Sequence, residues 1–101
     1  MNKTLSMLGL CARARQLQFG TTLCCESIRA GKAVLVCIAS DASDGTKKKI
    51  INCCTYYSVQ YAEIAASTVS LGHSVGKKGA LSAVAVLDAN FAKAINDSMN
   101  K

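Results

Sequence analysis

The stretch AVLVCIASDASDG, residues 33–45, decides the fold class. Its first seven residues are all apolar and rich in β-branched side chains. Such an uninterrupted run has no polar face to give to water, so it predicts a strand covered on both sides. Ser40, Asp41, Ser43 and Asp44 follow at once. Short oxygen-bearing side chains accept hydrogen bonds from the free N–H groups that begin a helix. A covered strand running straight into a helix start belongs to an α/β layer arrangement.

Working outward, LSAVAVL at residues 81–87 reads as a second buried strand. Asp88 is placed to cap a last helix, in which Phe91, Ile95 and Met99 recur every four residues. Upstream, Leu5, Leu8 and Ala12 stand at helical spacing and predict a helix over residues 3–15. LQFG, residues 17–20, reads as a short strand. Thr21 and Thr22 then supply caps for a second helix that runs to Ala30, and Gly31 stops it. In the third helix, Ile50, Ile51, Cys54 and Tyr57 fall on one stripe. VQYAEIA, residues 59–65, is a weaker strand signal. TVSLGHSVG, residues 68–76, predicts a short helix that ends in a glycine-rich loop. Helices and strands alternate throughout. That order predicts a three-layer α/β/α sandwich around one small sheet, in a single domain over residues 1–101.

Composition narrows the function. A chain of 101 residues builds one core and leaves no room for a separate catalytic domain. Half its residues are hydrophobic, which excludes disorder. Its longest apolar runs are about seven residues, whereas a membrane-crossing helix needs roughly 20. The first residues carry no basic segment followed by a long apolar core. The expectation is a cytoplasmic protein with no membrane partner. Twelve Lys and Arg stand against six Asp and Glu, for a net charge of +6. That excess attracts polyanions, of which nucleic acid is the commonest.

The six cysteines are Cys11, Cys24, Cys25, Cys37, Cys53 and Cys54. Zinc sites space their thiolates by two to four residues so that both turn toward one ion. Adjacent cysteines cannot do this on a helix, where neighbours point about 100° apart, so each pair is expected to split between faces. Reduced thiols pack as small hydrophobes. Neither a metal nor a cofactor is expected.

SLGHSVGKKGA, residues 70–80, gathers three glycines, two lysines and the only histidine. It is not a phosphate-cradling P-loop. Gly72 and Gly76 are one residue too close, Lys78 stands where the hydroxyl belongs, and the segment leads from helix to strand rather than the reverse. His73 has no cysteine or carboxylate near it in sequence, and Asp41, Asp44 and Asp88 sit where strands become helices, as capping residues do. No catalytic residues are expected. The remaining reading is a binding loop, in which glycines admit close backbone approach and Lys77 and Lys78 add charge. A second anion-favouring segment is FGTT, residues 19–22, at a helix start. A third is Thr46 with Lys47, Lys48 and Lys49, although Lys47 shares its stripe with Ile50, so only part of that run is free.

LGLCARARQLQFG (residues 8–20), SIRAGKAVLVCIASDASDGTKKKI (residues 27–50) and LGHSVGKKGA (residues 71–80) together resemble the kink-turn RNA-binding ribosomal protein family. This is the L-seven-Ae and L-thirty-e type, and the likeness is strongest to its small bacterial YlxQ-like members. The resemblance implies a four-stranded mixed sheet within the sandwich. It also implies RNA held by the loop entering the second helix, that helix's first turn, and the loop before the last strand. RNA-binding members open the second helix with G-T-N-E and carry a lysine one turn later. The asparagine and glutamate read guanine edges. Here Gly20 and Thr21 match, while Thr22, Leu23 and Glu26 stand at the asparagine, glutamate and lysine positions. Leucine accepts no hydrogen bond from guanine, and glutamate repels phosphate. RNA binding with weakened kink-turn selectivity is therefore expected.

Leu71, Gly72 and Gly76 fit the family's LGxAxG-like pattern, with Ser74 in place of alanine. Asp41 matches the family's acidic residue after the second strand and is expected to organise the loop. The resulting expectation for the site has three parts. Gly20, Thr21 and Thr22 meet backbone or base edges. Lys47, Lys48, Lys77 and Lys78 neutralise phosphates. His73, Ser74, Val75, Gly76, Gly79 and Ala80 pack against distorted RNA, with Val75 and Ala80 giving an apolar surface to an unstacked base. Arg13 and Arg15 are further cations. The expected partner is ribosomal or other structured RNA, together with ribosomal or translation-associated proteins. The alternative is a protein-interaction adaptor on the same scaffold, with Leu23 exposed to a protein partner.

Overall fold

A computed structural model describes residues 3–99. Its helices are α1 (Lys3–Arg13), α2 (Thr21–Arg29), α3 (Asp44–Tyr56), α4 (Thr68–Ser74) and α5 (Ala89–Met99). Its strands are β1 (Leu17–Phe19), β2 (Leu35–Ala39), β3 (Gln60–Ile64) and β4 (Ala83–Val86). The strands form one sheet in the order β1-β4-β2-β3. β4 runs antiparallel to both of its neighbours, and β2 and β3 are parallel, so the sheet is mixed.

The two apolar runs occupy the centre of that sheet, and their alternate residues feed two cores. Leu35, Cys37, Ala39, Val84 and Val86 pack with Leu8 of α1, Leu71 of α4 and Ile95 of α5. Val36, Ile38, Ala83 and Ala85 pack on the other face with Cys24 and Ile28 of α2 and Ile50 and Cys54 of α3. Both faces are covered, which is why β2 and β4 carry no exposed residue. Each buried Leu, Ile or Val contributes about 1.5–3 kcal/mol. This is the expected sandwich of helices around a four-stranded mixed sheet.

Caps fix several of the helix ends. Ser43 accepts the Thr46 N–H at 3.2 Å at the start of α3. Asp88 Oδ2 accepts the Phe91 N–H at 3.0 Å at the start of α5. Two expectations need correction. Gly20, not Thr21 or Thr22, is the cap residue of α2, and no side chain accepts a hydrogen bond there. Tyr57 is the C-cap of α3 and is 43% exposed, so the buried stripe ends at Cys54.

Register gathers the candidate segments. Phe19 of β1 and Cys37 of β2 both pair with Val84, at the start of β4, and Ala39 pairs with Ile64, the last residue of β3. The exits of β1, β2 and β3 and the entrance to β4 therefore share one end of the sheet. The first turns of α2 and α3, the short helix α4 and the glycine-rich segment all emerge on that rim.

Candidate nucleic-acid interface

The site begins with Gly20. Its dihedrals, φ 89 and ψ 159, lie in a region that only glycine occupies at little cost. There its N–H donates to the Ala83 carbonyl at 3.0 Å, tying the exit of β1 to the entrance of β4. Its carbonyl accepts the Cys24 N–H at 2.9 Å and so opens α2. The N–H groups of Thr21, Thr22 and Leu23 lie before the first intrahelical partner and have no side-chain cap. The helix dipole adds positive potential at the same place, and together they favour an anion. Thr22 and Leu23 are exposed beside them.

The glycine-rich segment folds back over α4. Gly72 is buried inside that helix, and a Cβ there would run into the carbonyl oxygen of Gly79. Only glycine lets the helix and the returning chain touch in this way. The Lys77 N–H donates to the Gly72 carbonyl at 2.9 Å and holds the return in place. Lys77, Lys78, Gly79 and Ala80 are all exposed. They line an open cleft of about 550 Å³ together with Val69, His73 and Gly76. A second cleft, of about 430 Å³, is lined by Gly9, Ala12, Arg13, Phe19 and the 73–76 turn. His73 and Gly76 border both clefts, and Phe19 directly precedes Gly20. Ser74 lies in the wall of the second. Phe19, at the exit of β1, and residues 73–76 thus share a wall.

Asp41 organises this rim. Its Oδ1 accepts the Thr68 N–H at 2.6 Å, which anchors the start of α4 to the exit of β2. The Thr68 carbonyl in turn accepts the Leu81 N–H at 2.9 Å, which anchors the entrance to β4.

The lysines divide into two groups. Lys77 and Lys78 stand on the glycine-rich segment. Lys47 and Lys48 are at the same end of the sheet but across it, above β3. The Lys47 ammonium donates to Glu63 Oε1 at 2.7 Å and to the Ser40 carbonyl at 2.8 Å. Part of its charge is therefore already matched, as its shared stripe with Ile50 foreshadows. Lys48 is exposed. Arg13 reaches the second cleft, and Arg15 lies in the turn between α1 and β1 at φ 61.

Val75 is corrected by its burial. It is 8% exposed and belongs to the core with Leu71, so its side chain offers little surface to a base. Val69, 66% exposed on α4, is the apolar side chain that borders Lys77 and Ala80 instead. Helical spacing carries that signal: residues 69 and 71 point to opposite sides, and Leu71 is fully buried. Phe19 enters the sequence reading only as the first residue of FGTT, because a three-residue strand gives too short a pattern to say which side chains face the edge.

The cysteines are thiols, and all but Cys53 are buried. Burial, then the Asp88 charge, pushes Cys11 up to about 11. Burial, then Cys11, pushes Cys37 up to about 12. Neither thiol is a nucleophile at neutral pH. Among the described residues, no group of three or more His, Cys, Asp or Glu is arranged to hold a metal ion. No described helix is long and apolar enough to cross a membrane.

A mixed four-stranded sheet between helical layers, with helix N-termini and a glycine-rich return on one rim, defines a class of small α/β/α binding proteins. The chain belongs to the Ribosomal protein L7Ae/L30e/S12e/Gadd45 family, whose family model matches residues 2–96. It is 42% identical over 86 residues to the RNA-binding protein YlxQ of Bacillus subtilis (strain 168), covering 85% of this chain and 84% of that protein. It is 35% identical over 91 residues to the RNA-binding protein YlxQ of Enterococcus faecium, covering 90% and 85%. A solved structure of a protein of unknown function from Bacillus halodurans C superposes along the whole of both chains, with a TM-score of 0.92 and 33% identity. The Giardia lamblia 15.5kD RNA binding protein shares the fold, with a TM-score of 0.78 and 20% identity over 95% of this chain and 81% of that one.

Proposed function

We propose that the chain is a non-catalytic RNA-binding protein of the cytoplasm, associated with ribosomal or another structured RNA. Residues 1–101 act as one binding domain. One observation carries the reading: the uncapped first turn of α2 and the exposed lysines of the 76–80 segment border one rim, with His73 and Phe19 between them. Backbone N–H groups and ammonium groups on a concave surface match a bent phosphate backbone. The names of the curated relatives support the same reading.

Selectivity for kink-turns is reduced in this account. Each lost base-edge contact lowers discrimination by about 1–3 kcal/mol. Thr22 and Leu23 together remove two, a factor of a hundred or more, at about 1.4 kcal/mol per tenfold. The test compares a kink-turn RNA with a plain duplex of equal length over a salt series. Binding to both is expected, steeply weakened by salt, with a preference for the kink-turn below tenfold. Absence of binding to either RNA at low salt refutes the proposal.

A second reading, a protein-interaction adaptor, has one observation in its favour. Leu23 is 45% exposed in the first turn of α2, where a polar reader would suit RNA. Purified protein free of nucleic acid, held on a polyanion resin no more strongly than its charge predicts, would favour that reading.

A further inference from the structure

Helices α2 and α3 lie side by side on one face of the sheet, and each carries an adjacent cysteine pair. The pairs divide as helical geometry requires. Cys24 and Cys54 are fully buried in the core beneath the two helices. Cys25 and Cys53 turn instead to the seam between them. Cys53 Sγ donates to the Cys25 carbonyl oxygen at 3.9 Å, which places the Cys53 thiol against the Cys25 residue across the seam. Cys25 is 2% exposed, whereas Cys53 is only half-buried. One thiol is open to solvent, and the second waits beside it on a different helix. Redox-responsive dithiols are arranged in this way.

We propose that Cys25 and Cys53 form a redox-active dithiol that closes to a disulfide between α2 and α3, with a hydroperoxide as the oxidant. Cys53 reacts first because solvent reaches it. Its thiolate attacks one oxygen of hydrogen peroxide. An S–O bond forms, the O–O bond breaks, and the departing hydroxide takes up a proton to leave as water. The product is the Cys53 sulfenic acid. The Cys25 sulfur then attacks the Cys53 sulfur. An S–S bond forms and the S–O bond breaks, and the second hydroxide takes the Cys25 proton and leaves as water. Two thiols have lost two electrons, peroxide has gained them, and two waters result.

The surroundings fit the order of events. Burial, then the neighbouring Cys53, pushes the Cys25 thiol up, while the charges of Lys49 and Arg29 oppose that push. Cys25 is therefore the less reactive thiol of the two, and Cys53, which solvent reaches, is oxidised first. Cys24 and Cys54 are also pushed up, first of all by burial, and neither is reached by solvent. The linkage would join the second turn of α2, just below the uncapped N–H groups, to α3.

The experiment uses the full chain, reduced, desalted and exposed to hydrogen peroxide. It is then unfolded, alkylated with N-ethylmaleimide and weighed intact. The expected product is a monomer lighter by two hydrogens, with two fewer alkylated thiols than the six of the reduced chain. Fragmentation of the non-reduced peptides should place the link at Cys25 and Cys53, and Cys53→Ser should lose it. Full alkylation after peroxide overturns the proposal. So does a link between two chains, a link mapped to Cys24 or Cys54, or a link that persists in Cys53→Ser. Should circular dichroism show that Cys53→Ser does not fold, the fragmentation map of the unaltered chain decides.

Discussion

Gly72→Ala isolates the contact that shapes the glycine-rich segment. On propensity alone the change is favourable, because alanine is better than glycine inside a helix by about 0.8–1.0 kcal/mol. The structure reverses that sign. The new Cβ overlaps the Gly79 carbonyl oxygen and lies 3.6 Å from the Leu81 Cβ. The obstacle is backbone, so no side-chain rotation relieves it. Forcing a methyl group into a packed interior costs about 1–3 kcal/mol. The shift also strains the hydrogen bond from the Lys77 N–H to the Gly72 carbonyl, of the kind worth about 1 kcal/mol. A net loss of about 1–3 kcal/mol follows from those terms. Gly45→Ala is the control. Gly45 lies in the first turn of α3, a Cβ there meets nothing within 4 Å, and its φ is not in the left-handed region. That substitution stabilises by about 0.4–1 kcal/mol through the unfolded chain. The assay is urea and thermal unfolding by circular dichroism in reducing buffer. Each kcal/mol moves the midpoint of a domain this size by about 4–8 °C. The two variants should shift in opposite directions with unchanged urea m-values. A Gly72→Ala protein as stable as the parent would refute the reasoning.

Four further outcomes follow from the rim. Changing Lys77 and Lys78 together to Ala should weaken RNA binding regardless of sequence and lower the slope of log K against log salt by about 1.4–1.8, measured by fluorescence anisotropy. Lys47→Ala should change that slope less than Lys48→Ala does, because the Lys47 ammonium is already engaged by Glu63 and the Ser40 carbonyl. Thr22→Asn combined with Leu23→Glu should raise the preference for a kink-turn over a duplex at least tenfold in a competition binding assay, at about 1–3 kcal/mol per restored contact. Asp41→Ala should lower stability by about 1–2 kcal/mol in urea unfolding, because the Thr68 N–H loses its acceptor at the start of α4.

The sandwich was legible because β2 and β4 are buried on both faces, and that burial writes itself as unbroken apolar sequence. β3 gave a weaker signal because it is an edge strand. Gln60, Tyr61 and Glu63 are exposed, and their polarity dilutes the pattern. At the start of α2, threonine offers a capping hydroxyl, yet glycine holds the cap because the chain must leave β1 through a conformation closed to other residues. The meeting of Phe19, at the exit of β1, with residues 73–76 could not be read from spacing. It depends on β4 inserting between β1 and β2, a choice of tertiary pairing. The family resemblance supplied that element, and the strand register accounts for it. Val75 and Val69 changed places because a seven-residue helix is too short for its buried face to be assigned from periodicity. The seam between Cys25 and Cys53 was equally hidden, since only the crossing of two helices brings those residues together.

The central claim is that the rim formed by the start of α2 and the glycine-rich segment is where RNA binds. A titration of isotopically labelled protein with a structured RNA, followed amide by amide in heteronuclear spectra, tests it most directly. The amides of Thr21, Thr22, Leu23, Gly76, Lys77, Lys78, Gly79 and Ala80 should shift together. Those of Gly31, Lys32, Tyr57 and Ser58, at the opposite end of the sheet, should stay in place. Shifts confined to that opposite end would contradict the account.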